Sequence, residues 1–251
     1  MRMQEFFMER DVYGWLKTWK TEKNRKPLII RGARQVGKTW LVNRFGRTEF
    51  DTLIEINFEF QPQMKSCFTS LDPKEVIQRI ELSLNVDIIP GDTLLFLDEI
   101  QECPEAVKAL RYFYEKLPAL HLIAAGSLLE FIMEAEAVSF PVGRVQSIYL
   151  LPLSFGEFLS ARGEYKLRQW FQNLSIAQQI PESIHVKSVT LLREYLYLGG
   201  MPETIATFLD AKNLQKTDEI HQLLLQSYKN DFGKYGKHVN FRLLEKVFTK
   251  S

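Results

Sequence analysis

Two cysteines in 251 residues are too few for a disulfide framework, and Cys67 and Cys103 form no CxxC pair. The four histidines do not cluster into a zinc set with them. Idle or buried thiols in a reducing cytoplasm are therefore expected. A charge excess is also missing: 32 basic residues against 31 acidic ones leave a net charge of +1, which makes no global electrostatic case for nucleic acid. A local case exists near the C-terminus, where Lys229, Lys234, Lys237, Arg242, Lys246 and Lys250 face only Asp231 and Glu245; a solvated helix or tail surface is the favoured explanation. No stretch approaches the ~18 to 20 continuous apolar residues of a membrane span, so no membrane is expected as a partner. The N-terminus MRMQEFFMERD carries acids early and lacks a signal-peptide pattern. Internal repeats and low-complexity segments are absent. What remains, 45% hydrophobic and 25% charged, is the composition of a globular protein of one or two domains with a substantial core.

The first half alternates apolar strands with amphipathic helices, the pattern of a parallel sheet covered on both faces. A short helix over 11–20 precedes strands at Pro27–Arg31, Thr52–Phe58, Thr93–Asp98, His121–Ala125 and Val145–Leu151. The strand at 93–98 is nearly all apolar, as one buried on both faces should be. Asp72-Pro73-Lys74-Glu75 predicts a helix start with an Asp72 cap, Glu75 reaching back, and Leu71 and Val76 as a hydrophobic staple. The helix after Pro104 carries Ala106, Val107, Leu110, Phe113, Tyr114 and Leu117 on one stripe. Ser154-Phe155-Gly156-Glu157 is a capping box flanked by Leu153 and Phe158. Beyond it only helical periodicity is found, broken at Pro181 and at Gly199-Gly200-Met201-Pro202. A boundary near residue 153 divides an α/β nucleotide-binding core (1–153) from a helical region (154–251).

Gly32-Ala33-Arg34-Gln35-Val36-Gly37-Lys38-Thr39 fits G-x-x-x-x-G-K-[ST] at every fixed position, after a strand and before a helix that continues through Trp40. Glycines let backbone wrap phosphate oxygens, and N–H groups at a helix start supply positive potential. Lys38 adds a full charge for the β and γ phosphates, and the Thr39 hydroxyl suits Mg²⁺. The expected ligand set is Gly32 to Thr39 with Trp40. Asp98 and Glu99 end a buried strand, at the sheet edge where ligands of open α/β sheets bind. Asp98 can hold the metal with Thr39, and Glu99 can orient and deprotonate water; a plain helix cap near Pro104 is the competing reading. Ser127, ending the next strand, offers a hydroxyl near the γ-phosphate, or simply caps a helix with Glu130. Arg144 is the foremost candidate for an arginine that neutralises transition-state charge, ahead of Arg34 and Arg193.

These stretches resemble the AAA+ superfamily and, more narrowly, a prokaryotic ATPase family close to the signal-transducing (STAND-like) branch. Besides the cradle, the likeness is carried by Leu95-Phe96-Leu97-Asp98-Glu99-Ile100-Gln101, Ala124-Ala125-Gly126-Ser127 and Gly143-Arg144-Val145. Leu151-Pro152-Leu153-Ser154-Phe155-Gly156-Glu157-Phe158 and Gly199-Gly200-Met201-Pro202-Glu203 continue it. The resemblance implies a five-stranded parallel sheet in the order 5-1-4-3-2 with a C-terminal all-helical lid. It implies ATP and Mg²⁺ as cofactors, Ser127 as γ-phosphate sensor, Arg144 near a finger position, and Pro202 in a lid motif on the adenine side. No arginine of the second lid-sensor kind stands out. Relatives continue further, and this chain stops inside a helix begun near Arg242, so a truncated C-terminal region is expected.

The function this supports is a cytoplasmic AAA+ ATPase that hydrolyses ATP to couple nucleotide state to a partner: another copy in a homo-oligomer, an unidentified protein, or nucleic acid. A nucleotide-dependent switch with little turnover is the alternative. A small-molecule kinase is disfavoured because Glu99 directly follows Asp98 and selects water as acceptor. GTP is disfavoured because no Asn-Lys-x-Asp motif occurs.

Overall fold

The computed structural model describes residues 8–127, 143–175 and 177–232. Their contacts divide the chain into two units, one running from Glu9 to Leu151 and the other comprising Met8 and the residues from Pro152 on. The helices expected from Ser127 onward and from Arg242, and most of the basic C-terminal cluster, lie outside the described residues.

The first unit is built on β1 (Leu28–Arg31), β2 (Thr52–Asn57), β3 (Thr93–Asp98), β4 (His121–Ala125) and β5 (Gln146–Tyr149). All pair in parallel in the order β2-β3-β4-β1-β5, the expected 5-1-4-3-2 read from the other edge. β3 and β4 are buried throughout, as their uninterrupted apolar runs require, while β5, at an edge, alternates partly buried and exposed. Ile29, Ile54, Ile56, Leu95, Leu97 and Leu122 share one cluster with α3 (Pro73–Leu84) and α4 (Pro104–Lys116). Because strand side chains alternate, Leu28, Ile30, Leu94, Phe96 and Ile123 face the other way, and they too are fully buried. There α1 (Val12–Thr21) packs on α2 (Lys38–Glu49), with Trp19 and Phe45 both inaccessible and their rings 6.4 Å apart.

The local start of α3 differs from expectation. Asp72 makes no side-chain cap bond; its carboxylate lies 3.5 Å from the Lys116 ammonium instead. Glu75 pairs with Arg79 one turn on rather than reaching back. Leu71 is 43% exposed, so only the Val76 half of the staple is buried. Pro73 at the first turn and the tertiary packing of Val76 and Ile80 suffice to start the helix.

The second unit is helical among its described residues: α5 (Phe155–Ala161), α6 (Tyr165–Gln172), α7 (Glu182–Leu198), α8 (Pro202–Ala211) and α9 (Leu214–Phe232). The Ser154 capping box forms in both directions, with Glu157 N–H donating to Ser154 Oγ at 3.1 Å and Ser154 N–H to Glu157 Oε2 at 2.8 Å. Leu153 and Phe158 are buried with Met8, Leu198 and Ile205. Gly200 lies against the backbone at Leu153, whose N–H donates to Gly200 O at 2.7 Å; a Cβ at Gly200 would collide with the Leu153 carbonyl. Among the described residues no helix is long and apolar enough to cross a membrane.

Candidate nucleotide-binding site

The cradle begins where β1 ends. Gly32 has φ +146°, and a Cβ there would run into the Leu150 carbonyl oxygen, so only glycine fits between loop and β5. Gln35 (φ +64°) and Gly37 (φ +91°) turn the chain through left-handed backbone into α2. The first bond of the helix ladder is Leu41 N–H to Gly37 O at 2.9 Å, so the N–H groups of Lys38, Thr39 and Trp40 have no place in it. A ring of donors at a helix start, aimed with its dipole, binds phosphate. Trp40 stands in this first turn; it is 41% exposed, with the Arg44 guanidinium 5.5 Å from its ring. Ala33 and Gln35 are exposed, and Val36 is fully buried beneath the loop.

Lys38 is buried to 7% exposure, and its ammonium donates to Gly32 O and Ala33 O, both at 2.9 Å. The side chain thus folds back over the loop that its own backbone helps to form. Burial lowers its pKa, and the Glu99 and Asp98 carboxylates oppose that shift.

Asp98 ends β3, with 2% exposure. Its Oδ2 accepts from Thr39 Oγ1 at 2.8 Å and from Asn57 Nδ2 at 3.1 Å. The first of these bonds joins the cradle to the acidic strand end, which the sequence places 59 residues apart. Asp98 Oδ1 is buried and has no hydrogen-bond partner among the described residues. Burial raises this carboxyl's pKa, with the Thr39 hydrogen bond opposing it. A hydroxyl beside a carboxylate that keeps one buried oxygen free is a donor set that fits Mg²⁺. That ion characteristically takes one or two protein oxygens and completes its shell with water and phosphate. No cluster of three or more His, Cys, Asp or Glu side chains able to cage a metal occurs among the described residues.

Glu99 follows in left-handed backbone (φ +48°), and Gln101 Nε2 donates to its Oε2. Ser127 comes two residues after β4, which lies between β1 and β3 in the sheet, hence between the cradle and the acids. Its Oγ is buried with no hydrogen-bond partner among the described residues. Arg144 is elsewhere. It precedes β5, whose pairing runs from Leu28↔Gln146 to Arg31↔Tyr149, so it sits at the opposite edge of the sheet from its own cradle. There its Nε meets Glu115 Oε1 at 2.9 Å, in a partly exposed pair. Pro202 opens α8 in the helical unit.

Three polar residues with no role read from the sequence bear on the site. Asn57 sits opposite Asp98 in the β2–β3 register, and its Oδ1 accepts from the N–H groups of Glu59 and Phe60, which turns its amide toward Asp98. A polar residue closing an alternating strand at the ligand-binding edge was the available signal. Gln101 is 5% exposed and holds Glu99. Arg10, buried at 7% exposure, donates from Nη1 to Val36 O at 2.9 Å; nothing in the local sequence marks it.

Residues 189–250 match a domain of unknown function. No curated protein matches the chain. Residues 24–159, more than half of the chain and the whole span from β1 to the capping box, match a family described as an AAA domain. A P-loop that ends β1, acids that end β3 and a 5-1-4-3-2 sheet agree with that match, and the chain belongs to this family of AAA-type P-loop nucleotide-binding proteins.

Proposed function

We propose that this chain is an ATP-hydrolysing AAA+ module that couples nucleotide state to a partner. The observation that supports the reading is the 2.8 Å bond from Thr39, in the phosphate cradle, to Asp98 at the end of β3. Lys38 and the N–H groups of the loop and first helical turn would bind the β and γ phosphates, and Thr39 and Asp98 would hold Mg²⁺. When bound, the metal neutralises charge on the phosphates. Glu99 takes the proton of the attacking water, and Asn57 keeps Asp98 oriented for its own role. Ser127, whose hydroxyl has no hydrogen-bond partner among the described residues, senses the γ-phosphate. Arg144, at the far edge of its own sheet, serves a neighbouring copy in a homo-oligomer. Residues 1–153 form the nucleotide-binding core and residues 154–251 a helical lid, with Pro202 in its lid motif. With Cys67 and Cys103 buried and unpaired, the reading places the protein in the cytoplasm.

Nucleotide binding and steady-state hydrolysis by two variants test the reading. Lys38→Ala should lose measurable ATP binding. Glu99→Gln should bind ATP as the wild type does and lose turnover by about 10²- to 10⁴-fold. Equal turnover in wild type and Glu99→Gln would remove the assigned base. One observation favours a second reading, a switch with little turnover: the Glu99 carboxylate is already engaged by Gln101. Tight ATP binding without hydrolysis at any protein concentration, and with DNA added, would select it.

A further inference from the structure

A buried arginine is costly unless its donors are used, and Arg10 spends two of them on main-chain carbonyls. Nη1 donates to Val36 O at 2.9 Å, and Nη2 donates to Leu151 O. Val36 is the residue between the two left-handed turns of the cradle, Gln35 and Gly37. The peptide joining Val36 to Gly37 is planar and trans, so its carbonyl and its N–H point in opposite directions. Whatever anchors the carbonyl also aims the Gly37 N–H. Leu151 leaves β5 beside the place where the Leu150 carbonyl crowds Gly32 and the Leu150 N–H bonds Arg31 O at 2.8 Å. Both ends of the loop, at Gly32 and at Val36, are therefore tied to the same stretch of chain, one by contact and one through Arg10.

We propose that Arg10 is a positioning residue for nucleotide binding. It draws the Val36 carbonyl out of the cradle, which turns the Gly37 N–H inward toward phosphate, and it locks the loop to the exit of β5. The guanidinium touches no phosphate itself; its planar fork reaches the two carbonyls from two separate nitrogens, a geometry that the single nitrogen of an ammonium does not reproduce. The inference rests on the nucleotide-binding reading and predicts which residue outside the motif sets affinity.

The test is equilibrium titration of the full chain with a fluorescent ADP analogue, alongside thermal unfolding. Arg10→Ala should weaken ADP binding about tenfold, the loss of one charge-assisted hydrogen bond's worth of preorganisation. Arg10→Lys, which keeps the charge but grips one carbonyl, should weaken it several-fold and decides the matter if the alanine variant does not fold. Arg25→Ala is the control. Arg25 also donates to main-chain carbonyls, at Lys20, Pro118 and Ala119, away from the loop. It should lower the Tm yet leave ADP affinity at the wild-type value. Wild-type affinity in Arg10→Lys and in folded Arg10→Ala would overturn the proposal, as would an equal loss in Arg25→Ala. A wild type that binds no ADP would overturn the nucleotide reading beneath it, a distinct result.

Discussion

At the scale of single residues, the site is governed by what burial does to charge. Asp98 and Lys38 are both nearly inaccessible, and burial pushes each toward its neutral form. The Glu99 and Asp98 carboxylates oppose that shift on the ammonium, and the Thr39 hydrogen bond, with the Lys38 charge, opposes it on the carboxyl. The cradle's shape depends just as closely on one missing atom. At Gly32 a methyl group would meet the Leu150 carbonyl, on backbone whose φ of +146° disfavours any side chain. Gly32→Ala should cost about 2 kcal/mol or more of stability. It should also weaken ADP binding by at least tenfold, because strand β5 or the loop must shift. Urea unfolding and nucleotide titration of the same variant check both.

At the scale of elements, two helix starts with similar sequence cues behave differently. Ser154 and Glu157 complete both bonds of a capping box, and Leu153 and Phe158 are buried around them. Asp72 and Glu75 complete neither, because Lys116 and Arg79 offer each carboxylate a charged partner. A capping motif is thus an option that neighbouring charges can withdraw. Where it forms it should be measurable: Ser154→Ala is expected to destabilise the helical unit by about 1 kcal/mol, while Asp72→Ala should cost well under half of that. Denaturant midpoints of the two variants give the comparison. Equal losses would mean that the exposed Asp72 contact does the work of a cap.

At the scale of the molecule, His121 links helix α1 to the sheet. It is 6% exposed at the start of β4, with the Phe50 ring 4.7 Å and the Trp19 ring 6.0 Å from its own, and its Nε2 lies 3.2 Å from Lys20 O. Burial, with the nearby Arg25 charge, lowers its pKa to about 4, against an ordinary 6.5. Since the unfolded chain then binds the proton more readily, this stabilisation is complete above pH 6.5 and drains away as pH falls toward 4. Its loss amounts to something on the order of 3 kcal/mol. His121→Phe should flatten the stability profile between those pH values; an unchanged slope in chemical denaturation would place the acid sensitivity elsewhere. Assembly is the other question at this scale. Arg144 is paired with Glu115 at the edge opposite its own cradle, in an exposed ion pair that is weak enough to be exchanged. ATPase activity per chain should therefore rise with protein concentration, and Arg144→Ala should abolish the rise without changing ATP affinity. A flat profile in the wild type would remove the finger role.

The sequence by itself determined whatever is local or periodic. The phosphate loop is one contiguous run that fits a fixed spacing over eight residues, so it is legible without tertiary information, although the contact that demands glycine at position 32 comes from Leu150. The strands at 93–98 and 121–125 are legible because double-sided burial demands unbroken apolar runs, and the change to helical periodicity after 153 needs no contact map. Only the tertiary structure decided which polar side chains serve the site from a distance. Asn57 reaches Asp98 through strand register, Arg10 reaches Val36 across 26 positions, and Gln101 meets Glu99, which stands in left-handed backbone. Such partners obey no spacing rule. A buried charge must be satisfied by whichever donor the packed chain brings near, and that choice is made by the fold as a whole.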